Sequence, residues 1–204
     1  MNKNINIFKT GMTAVEVVVE IVKQNPLINA LAFYPYAPMW NVCEMPECTS
    51  FFRLLQHDSA NGKEMWVKRE KITADKLYKM TDGLKDGYVL SVLSKVVLNR
   101  NKTLHMPMMD FSRGPDELSY IVRFLKEAGY ANGVILFSGR SFHYYGNYLM
   151  DDKEWRNFLG DCLLSGLADL RYIGHREKDN HGILRLSSCS LRPRVPKVVK
   201  VLDK

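Results

Sequence analysis

The chain has 204 residues, 46% of them hydrophobic and 25% charged, a composition that fits one folded domain with its own core and excludes disordered, collagen-like and repeat architectures. Its longest apolar run is interrupted by Glu16 and Glu20 and no apolar leader with a small-residue cleavage site follows Met1, so neither a membrane span nor a secretory signal is expected and the cytoplasm is the expected location. The 29 Lys+Arg against 22 Asp+Glu give a net charge of +7, which favours polyanionic partners through phosphate neutralisation.

The N-terminal half reads as a mixed α/β region. Thr13 and Glu16 form a capping box, Val15, Val18, Val19 and Val22 make an apolar stripe, and Pro26 stops the helix. Leu27 to Tyr34 is apolar and runs into Tyr-Pro-Tyr-Ala-Pro, a strand entering a loop. A short helix is expected over 49–57, a strand over 64–70 and a helix over 74–80. Four cysteines, at 43, 48, 162 and 189, are too few and too scattered for a disulfide framework, and Cys43-x4-Cys48 lacks the second pair a zinc site needs. The loop carrying Trp40, Cys43 and Cys48 is a candidate contact for a protein partner.

From Gly87 onward the pattern predicts two antiparallel strands, 88–98 and 104–112, joined by a turn at 99–102. Pro115 opens a helix with Asp116 and Glu117 in its first turn and Leu118, Ile121, Val122 and Leu125 on its buried face; Gly129 closes it. Strands at 134–137 and 142–150 flank the turn Ser138-Gly-Arg-Ser, and Trp155, Phe158, Leu159, Cys162 and Leu163 recur at helical spacing. Segments 169–175 and 182–188 read as two further strands, and the tail from Arg192 is basic and punctuated by prolines. The order is β-β-α-β-β-α-β-β: an α+β domain with helices covering a mainly antiparallel sheet. The divisions expected are an N-terminal region over 1–86, a core over 87–190 and a basic tail over 191–204.

Strand alternation places Met106, Met108, Asp110 and Ser112 on one face of their strand, and Ser141, His143, Tyr145 and Asn147 on one face of theirs. Read as strands, Asp169, Arg171, Ile173 and His175 share a face, as do Ile183, Arg185 and Ser187. One side of a single sheet would then gather Asp110, His143, Asp169 and Arg185. Carboxylates for a divalent cation beside His and Arg for phosphate are the parts that nucleotidyl transfer requires. Taken singly, each residue also has a structural reading: Asp110 as a turn acceptor, His143 as a satisfied strand histidine, Asp169 as a loop residue and Arg185 as the partner of a nearby acid.

Met109-Asp110-Phe-Ser112, Ser138-Gly-Arg-Ser-Phe-His143, and Asp169-Leu-Arg-Tyr-Ile-Gly-His175 followed by Leu184-Arg185-Leu-Ser-Ser together resemble the three-motif order of the archaeo-eukaryotic primase superfamily, the primase-polymerases. The resemblance spans about residues 104–190 and implies an RRM-like catalytic core. In that family an Asp-x-Asp pair binds metal, a Ser-x-His-like element holds the phosphates of the incoming nucleotide, and a later acid completes the metal site. Carried over, Asp110 and Asp169 are the metal-binding and catalytic acids, while Ser138, Arg140 and His143 hold the triphosphate and Arg185 is an auxiliary phosphate contact. The implied cofactor is Mg²⁺ or Mn²⁺, and the implied partners are a nucleoside triphosphate and a single-stranded or template nucleic acid. Ser112 stands where the first pair should end in an acid, which removes a ligand from a second metal. Two further readings follow from that departure: a nucleic-acid-binding module in a replication, mobile-element or defence complex, and a one-metal nucleotide-processing enzyme or nuclease.

His175, Asp179 and His181 also form a possible zinc or acid–base cluster, although a polar turn accounts for them equally well. Tyr144, Tyr145 and Tyr148 with Phe142 are candidate base-stacking residues or core.

Overall fold

The computed structural model describes residues 7–38, 63–99 and 102–203. The expected helix at 49–57 and the loop with Trp40, Cys43 and Cys48 lie outside these residues. Five helices and nine strands are assigned among them: α1 (Ala14–Gln24), β1 (Ile28–Tyr36), β2 (Met65–Lys68), α2 (Ala74–Asp82), β3 (Val89–Leu98), β4 (Thr103–His105), β5 (Met108–Phe111), α3 (Leu118–Glu127), β6 (Gly133–Phe137), β7 (Phe142–Gly146), α4 (Asp152–Leu164), α5 (Leu170–Asp179), β8 (Ile183–Arg185) and β9 (Lys197–Leu202).

The strands form two antiparallel sheets where the sequence predicted one. The first runs β2-β1-β3-β4, with β8 pairing β3 beside β4; the second runs β5-β7-β6-β9. The long expected strand 104–112 is broken at Met106-Pro107. Its first part, β4, pairs β3 in the first sheet, and its second part, β5, pairs β7 in the other. Proline cannot donate to a ladder, and here the chain crosses between sheets: Met106 N–H donates to Ser94 O (2.8 Å), and Gly146 N–H donates to Pro107 O (2.8 Å).

Alternation on the second sheet sorts the core. Met108, Val134, Leu136, Tyr145 and Val198 turn toward the first sheet and α1, and pack with Leu31, Phe33, Val92 and Val96. Met109, Phe111, Ile135, Phe142 and Tyr144 turn the other way, toward α3 and α4, and pack with Ile121, Leu125, Trp155 and Phe158. The tyrosines and Phe142 proposed for base stacking therefore include three core side chains: Phe142, Tyr144 and Tyr145 are all buried. The sequence resolves α1 well. Thr13 N–H donates to Glu16 Oε2 (2.7 Å) and Glu16 N–H to Thr13 Oγ1 (3.3 Å), and the valine stripe is buried along with Val17, Glu20 and Ile21. Valine is a mediocre helix former, so this packing, worth roughly 1.5–3 kcal/mol for each fully buried side chain, holds the helix.

One other segment departs from expectation. Residues 170–179 form helix α5 instead of a strand. Asp169 caps it, Ile173 and Arg176 recur at helical spacing on its buried side, and Asn180 ends it in the left-handed region at φ 54°. The basic tail contributes an edge strand, β9, whose Val198 and Leu202 are buried and which pairs β6 from Gly133↔Leu202 to Phe137↔Lys197. No helix among the described residues is long and apolar enough to cross a membrane.

Candidate functional site

At one end of the space between the sheets the apolar pattern gives way to polar residues on the same strand faces. On β5 the inward series runs from Met108 to Asp110, and on β7 from Tyr145 to His143 and then Ser141, just before the strand. Register pairs Met108↔Tyr145 and Asp110↔His143. The sheets enclose a cleft of about 970 Å³ here, lined by Asp110, Ser138, Arg140, Ser141, His143, Asp169 and Arg185 among others. That size lies at the upper end of the roughly 300–1,000 Å³ usual for small-ligand sites.

All six site residues named from the sequence reach this one cleft, by a different route from the one expected. Asp110 and His143 come from the second sheet and Arg185 from the first, while Asp169 sits at the N-cap of α5. The placement of Asp169 has a definite cause. Phe111 and Ala168 form an antiparallel bridge, and Asp169 N–H donates to Asp110 O (3.0 Å). The segment before α5 thus adds to the free edge of β5 and sets the two acids side by side. The Asp169 side chain caps its helix by accepting from Tyr172 N–H (2.6 Å).

The electrostatics follow. Desolvation, and then repulsion from Asp169, push the Asp110 carboxyl up to about 7 from 3.8, against the opposing influence of Ser141, Arg185 and Arg192, although 31% of the side chain still meets solvent. Ser141 Oγ donates to Asp110 Oδ1 (3.1 Å). His143 Nε2 stands 3.9 Å from the same oxygen, beyond a hydrogen bond, and its Nδ1 is buried without a hydrogen-bond partner. Burial, reinforced by Arg185, holds the imidazole well below its usual value, so it is neutral near pH 7.

Every lysine or arginine on the cleft wall, among the described residues, is an arginine: Arg113, Arg140, Arg171, Arg176, Arg185, Arg192 and Arg194. Arginine presents a planar fork suited to phosphate oxygens, whereas lysine offers a point charge. Arg140 is exposed at the tip of the β6–β7 turn and Arg176 is buried on α5. Arg185 is buried too, but its Nη1 donates to Ser187 O (2.9 Å) and Arg194 O (2.7 Å), and its Nη2 donates to Ser138 O. Three of the five N–H groups of a guanidinium therefore end on backbone carbonyls.

Ser141 is the site residue that the sequence reading left without a role. It lies two residues before His143 on the same strand face, a Ser-x-His spacing that alternation alone would have flagged. Ser112 is exposed on the cleft rim. His175 and His181 line the same cleft, and among the described residues no group of three or more His, Cys, Asp or Glu side chains is arranged to hold a metal.

Comparison with known proteins fits this layout. Nothing among curated proteins matches the chain. In fold it is similar to the AEP domain of the cyanophage S-2L primase-polymerase (PrimPol), with a TM-score of 0.50 over 93% of this chain and 90% of that one at 12% sequence identity. The family described as AEP-like, archaeo-eukaryotic primase 1D-like, matches residues 68–198, a span that reaches back to the end of β2 and forward into β9. The α+β core with its paired acids, and this match over more than half the sequence, make the chain a member of the archaeo-eukaryotic primase family.

Proposed function

We propose that the cleft binds a nucleoside triphosphate with one Mg²⁺ or Mn²⁺ and, on a nucleic-acid template, transfers the nucleotide to a 3′-hydroxyl with release of pyrophosphate. The carrying observation is the juxtaposition of Asp110 and Asp169, 59 positions apart in sequence, by the Phe111–Ala168 bridge in a cleft whose lysine and arginine positions are all arginine. Asp169 raises the proton affinity of Asp110, a repulsion that a divalent cation would relieve, and Mg²⁺ is commonly held by one or two carboxylates with substrate phosphates. The residues present fit one such ion. When bound, it supplies charge neutralisation and Lewis acidity at the reacting phosphate.

In this reading Asp110 and Asp169 hold the ion. Arg140, on the β6–β7 turn, and neutral His143 donate to triphosphate oxygens, Ser138 holds that turn through its N–H and Oγ–H bonds to Ser141 O, and the orphaned Nδ1 leaves the His143 ring with hydrogen-bonding capacity to spare. Arginines along the wall counter the charge that develops on the leaving pyrophosphate. Incubation with a primed template, nucleotides and Mn²⁺ tests the proposal: the wild type extends the primer, and Asp110→Ala, still folded, does not. Equal extension by the two proteins would falsify it.

The exposed serine at 112, where the family carries a second acid, favours a second reading: a nucleic-acid-binding relative that no longer turns nucleotides over. Salt-sensitive binding of single strands with no product in the same assay selects it.

A further inference from the structure

We propose that Arg185 is a positioning residue: its guanidinium clamps the 138–141 turn to the 187–194 segment and so sets where Arg140 and Arg194 meet the phosphates, without touching the phosphates itself. This rests on the nucleotide reading of the cleft given above.

Arg185 is anchored in the first sheet, where β8 pairs β3 at Ser91↔Arg185. Ser138 belongs to the turn between β6 and β7 in the second sheet. One side chain therefore joins the two sheets at the mouth of the cleft. Its two ends are the Ser138 carbonyl on one side and the Ser187 and Arg194 carbonyls on the other. Swinging this guanidinium onto a phosphate would strand all three carbonyls in a region where Arg185 itself is only 6% exposed, and an unmade buried hydrogen bond is costlier than a made one is worth.

The join is close as well as polar. Gly139 has φ +106°, and a Cβ there would fall 2.9 Å from Arg194 Cβ, so the turn lies directly against the segment that Arg185 holds. From the clamp a hydrogen-bond chain runs to the metal-binding pair: Ser138 Oγ donates to Ser141 O (2.9 Å), and Ser141 Oγ donates to Asp110 Oδ1 (3.1 Å). Displacing the turn therefore disturbs the triphosphate contacts and the orientation of Asp110 together. A lysine in place of Arg185 keeps the charge but cannot span three carbonyls set apart in a plane.

The test compares Arg185→Lys and Arg185→Gln with wild type in triphosphate titrations with Mn²⁺. Clamping predicts that both lose affinity by about tenfold or more, because charge alone does not replace the fork; near-wild-type binding by the lysine variant overturns the proposal. Methylguanidinium added to Arg185→Ala restores binding, and methylammonium does not; equal rescue by the two also overturns it. Amide exchange in ligand-free Arg185→Lys separates this inference from the nucleotide reading. Ser138 and the 187–194 amides lose protection while Leu136 and Tyr144 keep theirs, whether or not the protein binds nucleotide; an unchanged Ser138 counts against the clamp. Should the variants not fold, the structure of the wild type with a non-hydrolysable triphosphate and Mn²⁺ decides: retained carbonyl bonds support the proposal, and a guanidinium moved onto phosphate refutes it.

Discussion

Two buried histidines differ in whether the fold itself satisfies their ring nitrogens. His105, on β4, is fully buried, with Nδ1 against Ser94 Oγ (3.1 Å) and Nε2 against Asp152 Oδ1 (3.0 Å), and its ring stacks on Trp155 at 4.3 Å. His143, on β7, is nearly as buried, yet its Nδ1 has no hydrogen-bond partner and its Nε2 stops 3.9 Å short of Asp110. The first ring has spent its hydrogen-bonding capacity inside the fold and the second has not. Ser94, His105 and Asp152 superficially imitate a hydrolytic triad, but Ser94 also accepts from Gly182 N–H (2.7 Å) and is buried; the cluster knits β3, β4, α4 and β8. Burial alone does not mark function; it is the unmet partner beside the cleft that makes His143 the candidate for ligand contact.

The largest break in that comparison comes from the acid next to His143. Asp110→Asn is expected to lower templated incorporation by at least about 100-fold while leaving the melting temperature of the cation-free protein the same or higher, since a neutral amide removes the repulsion from Asp169. Primer extension and thermal melts on one preparation check both halves. The paired histidine substitutions come next and should act on different properties. His105→Ala, which loses a stacked ring and two hydrogen bonds, costs about 2–4 kcal/mol of stability in denaturant titration. His143→Ala costs little stability and weakens triphosphate binding about tenfold. If both act alike, the distinction between the rings fails.

A pH series sharpens the comparison further, because the two kinds of group respond with opposite sign. The folded-state value of Asp110, about 7, lies above its ordinary 3.8, so its support for the fold is complete below that ordinary value and is withdrawn as pH rises through 7. His105 and His143 are both held below 6.5, so their support is present above that value and is lost as pH falls. Cation-free stability should therefore sag on both sides, with the alkaline limb removed by Mg²⁺ or Mn²⁺. Metal affinity should tighten by about tenfold per pH unit below 7 and level off above it, the slope of one released proton; isothermal titration at several pH values measures it. The smallest expected effect belongs to Ser112→Asp, which supplies the missing acid on an exposed rim and should raise Mn²⁺-dependent incorporation about threefold.

Much of this was legible in the residues, for identifiable reasons. Helix α1 announces itself through Thr13, Glu16 and the valines because capping and periodicity are local. The inward placement of Asp110 and His143 follows from strand alternation, which is local as well. The two-sheet arrangement was hidden because apolar alternation continues on either side of Met106-Pro107, and only the pairing partners reveal that the chain changes sheets there. Asp169 was misread because the polar composition of 170–179 lacks an apolar stripe; its buried side holds His175 and Arg176 beside Ile173, which a hydrophobic period does not register. Alternation could have flagged Ser141, but its bond to the Asp110 carboxylate, 31 positions away, and the Arg185 bond to the Ser138 carbonyl, 47 positions away, depend on tertiary pairing that spacing does not encode.

Strand β9 has a practical consequence for anyone dissecting this chain. A fragment cut after the last recognisable motif, near residue 190, would strip the partner from β6 along Gly133–Phe137 and leave an apolar ladder of open N–H and C=O groups. Such an edge invites pairing between copies, so the shortened protein is expected to precipitate or swap strands, and its inactivity would say nothing about the acids in the cleft.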